Sequence, residues 1–152
     1  MTFRIASVDD ARAIAEFQTS CWREAYVGLV PQDYLDSVGA ATRQQRWTTR
    51  IFERQRTVLI AESDGAIVGV ASHVLREEVL ELMSLYVAAG LRGSGLAQQL
   101  LDAAISDEPA QLWVFEGNEC AIGFYVRSGF AADGERMIDP DTGLVCIRLS
   151  RI

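Results

Sequence analysis

Residues 86–101 read Tyr-Val-Ala-Ala-Gly-Leu-Arg-Gly-Ser-Gly-Leu-Ala-Gln-Gln-Leu-Leu. Three glycines and one arginine stand there between a run with strand character, Val79 to Val87, and a helix whose apolar pairs Leu96/Ala97, Leu100/Leu101 and Ala104/Ile105 recur four apart. Glycine concentrated at a strand-to-helix joint accepts unusual φ/ψ and lets a ligand approach the backbone. A helix N-terminus adds free N–H groups and partial positive charge, which suits a phosphate. Two familiar phosphate loops fail at named positions. A Walker loop needs Gly-Lys-Ser/Thr, and here Gly95 is followed by Leu96; a dinucleotide fingerprint needs a third glycine at position 98, which is Gln98.

The rest of the chain has to build a core around that joint. At 152 residues and 49% hydrophobic it suffices for one domain, expected over 1–152. No apolar run approaches the ~20 residues of a membrane span. The start, Met1-Thr2-Phe3-Arg4-Ile5-Ala6, lacks the apolar stretch of a signal peptide, so the expected location is cytoplasmic. Cys21, Cys120 and Cys146 have no C-x-x-C spacing and read as reduced thiols. The net charge of −7 argues against nonspecific nucleic-acid or acidic-membrane binding, which needs a basic face.

Phe3–Ala6 reads as a first strand. Ser7 or Asp9 caps a helix carrying Ala11, Ile14, Cys21, Trp22 and Ala25 at helical spacing. After Gly28-Leu29-Val30-Pro31, residues 32–38 and 42–54 read as helices. The second is rich in Arg and Gln with few apolar anchors, and is expected on the surface. Residues 57–62 and 66–74 form a hairpin across Ser63-Asp64-Gly65. Asp107-Glu108-Pro109 stops the helix after the glycines, and 112–115 is a compact buried strand. Asn118 caps a helix closed by Gly129, and residues 130–137 and 144–149 form a last strand pair. The class is mixed α/β (α+β) with one central sheet.

Two motifs carry a family resemblance. Arg92-Gly93-Ser94-Gly95-Leu96-Ala97 has the spacing Arg-x-x-Gly-x-Ala. Asn118-Glu119-Cys120-Ala121-Ile122-Gly123-Phe124-Tyr125-Val126-Arg127-Ser128-Gly129-Phe130 fills every position of Asn-x-x-Ala-x-x-Phe-Tyr-x-x-x-Gly-Phe. Together they resemble the acyl-coenzyme-A loop and second motif of the GCN5-related N-acetyltransferases (GNAT), with one helix and one strand between them. The resemblance implies a single GNAT-type domain. Its central sheet is mixed, mostly antiparallel and flanked by helices, with a V-shaped opening between the strands near 79–87 and 111–115.

It also implies roles. Backbone N–H groups of Arg92, Gly93, Ser94, Gly95, Leu96 and Ala97 would hold the pyrophosphate of acetyl-CoA. The strand Leu85-Tyr86-Val87 would bond the pantetheine arm, Asn118 would cap its helix and contact the arm, and Tyr125 would line it as the general acid toward the leaving thiolate. Some members carry a general base where Glu81 stands. Period-two alternation puts Glu81 on the face of Met83, Leu85 and Val87. His73, the lone histidine, reads as a packing or surface residue, and Cys120 has no histidine partner for a covalent route. No metal is expected. The implied function is acetyl transfer from acetyl-CoA to a primary amine by direct attack in a ternary complex. The alternative is a CoA or acyl-CoA sensor without turnover. The acceptor, a small molecule or a peptide or protein amine, borders Cys21 to Tyr34, and overall acidity favours a cationic amine. A homodimer is allowed; nucleic acid and membrane are not expected as partners.

Overall fold

The computed structural model describes residues 1–152. Seven strands form one sheet in the order β1-β2-β3-β4-β5-β7-β6. They are β1 Thr2–Ile5, β2 Thr57–Ser63, β3 Ala66–Arg76, β4 Val79–Val87, β5 Ala110–Phe115, β6 Ala131–Ile138 and β7 Val145–Arg151. Five α-helices connect them: α1 Ala11–Ala25, α2 Gln32–Ser37, α3 Ala40–Phe52, α4 Leu96–Ile105 and α5 Glu119–Arg127. Every strand pair is antiparallel except β4 with β5. The expected fold class and element order are borne out, with boundaries shifted by at most two residues. No helix is long and apolar enough to cross a membrane.

Alternation along the strands divides the core into two layers. Val58 and Ile60 of β2 and Val70 of β3 face α1 and α3, where they meet Ile14, Ala15 and Trp47. Ala61 and Ala71 face the other way, onto Leu96, Leu100, Leu101 and Ile105 of α4 and Tyr125 of α5. Gly69 admits α4 closely: a Cβ there would lie 2.5 Å from Leu100 Cδ1. The β2–β3 turn runs through Asp64 and Gly65, both with positive φ (+52° and +79°), the pair of left-handed residues that a two-residue hairpin turn prefers.

Two expectations fail for identifiable reasons. The Arg/Gln-rich α3 does not lie loosely on the surface: Trp47 is fully buried, and Arg43 is only 4% exposed. Arg43 is accommodated because its Nη1 donates to Val38 O (2.9 Å) and Thr19 Oγ1 (3.1 Å), so one arm of the guanidinium is satisfied inside the fold. The second failure concerns β4. Pairing with β3 steps from Ser72↔Ser84 to His73↔Leu82, which leaves Met83 as an extra residue. This bulge resets the alternation. Leu80, Leu82, Leu85 and Val87 all join the α4 layer. Glu81 lies on the opposite side and does not share a face with Leu85 and Val87.

Candidate active site

β4 and β5 pair only over Leu80↔Ala110, Glu81↔Gln111 and Leu82↔Leu112. Beyond Leu82 they part, while β4 stays bonded to β3 through Val87 and β5 stays bonded to β7 through Phe115. The strands therefore open like a V, as expected, each presenting an unpaired edge to the gap. A cavity of about 1030 Å³ occupies the opening, lined among others by Met83 to Val87, Trp113 to Phe115, the glycine loop and Tyr125.

The loop closes one end. Gly93 (φ +80°) and Gly95 (φ +92°) take left-handed conformations, and Gly95 is the residue from which α4 starts. A Cβ at either glycine would meet nothing within 4 Å, so positive φ rather than crowding is what requires them. Ser94 N donates back to Leu91 O, and the first backbone bond into α4 is Gln99 N to Gly95 O. The amides of Gly93, Gly95, Ala97 and Gln98 are thus free at the start of a ten-residue helix, an arrangement suited to an anion. Arg92 extends past the loop toward Glu24 of α1 at 4.0 Å, and both side chains are half exposed.

Asn118 caps α5, its Oδ1 accepting from Ala121 N at 3.3 Å, and it also borders the cavity. About two turns on, Tyr125 is 9% exposed, wedged between Phe124 (5.2 Å between ring centroids) and Phe130 (5.8 Å). Burial pushes its phenol well above the ordinary value, with Tyr86 adding to the shift, so Tyr125 holds its proton throughout the neutral range.

Tyr86 is tied on the other face. Its hydroxyl accepts from Gln18 Nε2 (3.2 Å) and Trp22 Nε1 (3.1 Å), while Gln18 Oε1 accepts from Trp47 Nε1 (2.7 Å). The chain of bonds joins α3, α1 and β4 and leaves the Tyr86 proton as the hydroxyl's remaining donor. Trp22 and Tyr26 pack edge-on against Phe115 of β5, at 6.2 and 5.3 Å, and roof the opening on the α1 side.

The expected residues do not all converge. Leu85, Tyr86, Val87, Arg92, Gly93, Gly95, Ala97, Asn118 and Tyr125 line the one cavity. Ser94 and Leu96 sit in the loop without lining it. Ser94 Oγ is turned to Leu91 O, and Leu96, the first residue of α4, is buried in the core. Glu81 stands outside the lining, 6% exposed. Its carboxylate accepts from Arg76 Nε (3.1 Å) and Gln111 Nε2 (2.8 Å) at the fork of the V. His73 is also outside; burial lowers its pKa and its Nδ1 has no partner. Cys120 borders the cavity and is exposed. The sequence reading passed over Arg43, Arg46 and Arg50 of α3, and Arg56 before β2, which also line it. The spacing of three and four residues among Arg43, Arg46 and Arg50 along an otherwise weakly apolar helix was the available signal.

The sequence profile described as the Acetyltransferase (GNAT) family matches residues 12–130. An uncharacterized N-acetyltransferase of Mycobacterium tuberculosis is 30% identical over 115 residues, covering 71% of this chain and 74% of its own. Among solved structures, the PaiA N-acetyltransferase of Thermoplasma acidophilum in complex with coenzyme A superposes with a TM-score of 0.80 at 19% identity, over 97% of this chain and 98% of its own. A ribosomal-protein-alanine N-acetyltransferase of Brucella melitensis superposes with a TM-score of 0.74 at 24% identity, over 100% and 99%.

Proposed function

The chain belongs to the GNAT family of acetyltransferases, and on that premise we propose that it moves the acetyl group of acetyl-CoA to a primary amine by direct attack in a ternary complex. The observation that carries this reading is the meeting, in one cavity, of a loop of free amides, an unpaired strand edge and a buried phenol. The residues present fit acetyl-CoA. The amides of Gly93, Gly95, Ala97 and Gln98 suit its pyrophosphate, and the free edge of β4 beyond Leu82 suits the amide-bearing pantetheine arm as an added strand. The solved PaiA neighbour, crystallised with coenzyme A, supports the same choice.

The co-substrate supplies an activated acetyl thioester. The amine nitrogen forms the new bond to the acetyl carbon as the carbon–sulfur bond breaks. Tyr125 then has one task, to hold a proton beside the sulfur and give it up as negative charge develops there. Its raised pKa supports this, since the neutral phenol keeps its proton at every working pH. The amine loses a proton to water in the cavity. Glu81 is not assigned that step, because its carboxylate is committed to Arg76 and Gln111 outside the lining. A positioning role at the fork suits it better.

The test has two readouts. Acetyl-CoA at about 100 times its Kd is expected to add about 2.7 kcal/mol to stability, seen as a rise in Tm. Release of free thiol, followed against a panel of primary amines, is expected to depend on the amine. Stabilisation without amine-dependent thiol release overturns the transferase reading.

A further inference from the structure

The cavity is basic inside an acidic protein. Six arginines line it against three acids, Glu24, Asp139 and Asp141, although the chain carries a net charge of −7. Arg92 and Arg127 belong to the glycine-loop side, where coenzyme phosphates are expected. The other four, Arg43, Arg46, Arg50 and Arg56, come from α3 and the residue before β2. They gather on the other face of the sheet, beside Ser84 and Tyr86: Arg56 Nη1 lies 3.4 Å from Ser84 Oγ. The Arg50 and Arg56 guanidinium carbons stand 4.9 and 5.9 Å from the Trp47 ring, and that of Arg43 stands 5.3 Å from the Trp22 ring.

None of these four is paired with a carboxylate within 4.0 Å; the protein's seven ion pairs lie elsewhere. Arg43 is buried, and Arg50 and Arg56 are half-buried. Burial lowers the pKa of all three, and Arg50 lowers that of Arg56 further, to about 10. The acid that acts on Arg56 is Glu81, already engaged by Arg76 and Gln111. Gathering partly desolvated like charges without a counter-charge is costly. Stacking on tryptophan offsets part of that cost, but it does not require four arginines on one patch. An anion bound among them would supply the missing counter-charge, because the guanidinium fork matches carboxylate and phosphate oxygens in paired hydrogen bonds.

We propose that Arg43, Arg46, Arg50 and Arg56, with the free hydroxyl proton of Tyr86, form the anion-binding end of the acceptor site, and that the acceptor is a small amine bearing a carboxylate, phosphonate or phosphate. The proposal rests on the transferase reading above. Local charge at the site thereby reverses the expectation drawn from net charge: a polyamine or aminoglycoside would meet guanidiniums where it needs acids. Ser84 and Tyr86, which border the patch, belong to the same unpaired stretch of β4 that would hold the acetyl-bearing arm. An anion held there keeps a nearby amine within reach of that stretch.

The experiment compares matched amines by thiol release at saturating acetyl-CoA: phenylalanine against phenethylamine, and 2-aminoethylphosphonate against propylamine, with spermidine as the cationic extreme. The anion-bearing member of at least one pair is expected to have a kcat/KM at least about tenfold higher. Comparing carboxylates with phosphonates identifies the anion. Arg50→Gln and Arg56→Gln are each expected to raise KM for that acceptor by about tenfold or more, while the Kd for acetyl-CoA, read from Tm shifts, stays within about twofold. Better turnover of amines lacking the anion overturns the proposal, as does failure of every anion-bearing amine. A matched loss of acetyl-CoA affinity in the variants also overturns it, by assigning the arginines to the coenzyme phosphates. If acetyl-CoA neither stabilises the protein nor releases thiol with any amine, the transferase reading has failed as well.

Discussion

Gln111 Nε2 donates to Glu81 Oε1 at 2.8 Å across the middle rung of the short ladder that joins β4 to β5. With Arg76 on its other oxygen, Glu81 clasps the two strands just below the point where they part. The width of the opening above depends on where that ladder ends, so this bond ties fork geometry to the cavity.

Glu81→Gln tests the clasp against a role as base. Gln keeps a hydrogen bond to Gln111 but loses the charge facing Arg76, which is half exposed, so the expected loss of stability is only about 1 kcal/mol after solvent screening. Turnover is expected to stay within about threefold, and the pH–rate profile to run parallel to wild type, since no general base is removed. A fall of a hundredfold with partial rescue at high pH would return Glu81 to the chemistry.

Gly95→Asp and Gly95→Asn form a pair for the loop. Both add a Cβ at φ +92°, where nothing lies within 4 Å, so both carry the same backbone strain and neither meets a clash. Only Asp adds negative charge beside the free amides. Acetyl-CoA affinity is expected to fall at least about tenfold more in Asp than in Asn, measured by titration of the folded proteins. Equal losses would mean that strain, and not a phosphate, governs the site.

What could be read in advance follows the range of the physics. The Gly93/Gly95 loop, the Asn118 cap and the Asp64-Gly65 turn obey rules spanning a few residues, and all three stand as expected. The face of Glu81 was misread because Met83 inserts a bulge whose cause lies in pairing with β3, outside the local pattern. The burial of α3 was misread because Arg43 finds its acceptors, Thr19 and Val38, 24 and 5 residues away, and composition counts an arginine as a surface residue. The same blindness hid the arginine patch, for which net charge pointed the wrong way.

Far from the cavity, Arg4 donates two bonds to Asp10, at 2.8 and 2.9 Å, and a third to Glu62 of β2. Asp10 also accepts from Ser7 N at 2.8 Å, tying β1 to the start of α1. The Arg4 hydrogen bonds hold the Asp10 carboxyl down from 3.8 to about 2. A depressed carboxyl pKa means that the unfolded chain binds the proton first. The contribution is therefore complete above 3.8 and is lost as pH falls toward 2. Asp10→Asn is expected to change stability little near neutrality, because Arg4 is well exposed to solvent. It is also expected to flatten the fall of Tm across that acid window. An unchanged acid slope would mean that other carboxylates carry it.

Tyr125→Phe isolates one hydroxyl. The ring stays packed against Phe124 and Phe130, so Tm and acetyl-CoA affinity are expected to remain near wild type. The thiol expelled in the reaction resembles a cysteine, with a pKa of about 8.5. Tyr125, raised above its ordinary value by burial, stays protonated well past that point. The proton is therefore available to the developing thiolate at every pH in the working range. Removing it is expected to lower kcat by about 10²–10⁴. The loss should be nearly uniform from about pH 6 to 9, because no titration of Tyr125 falls within that span. The measurement is kcat against pH for wild type and variant on the best amine of the panel, with Tm recorded alongside. A turnover within about threefold of wild type would leave Tyr125 as a packing residue. A loss confined to low pH would instead assign the proton to a group with an ordinary pKa, and Tyr125 would then act only by shaping the wall beside the sulfur.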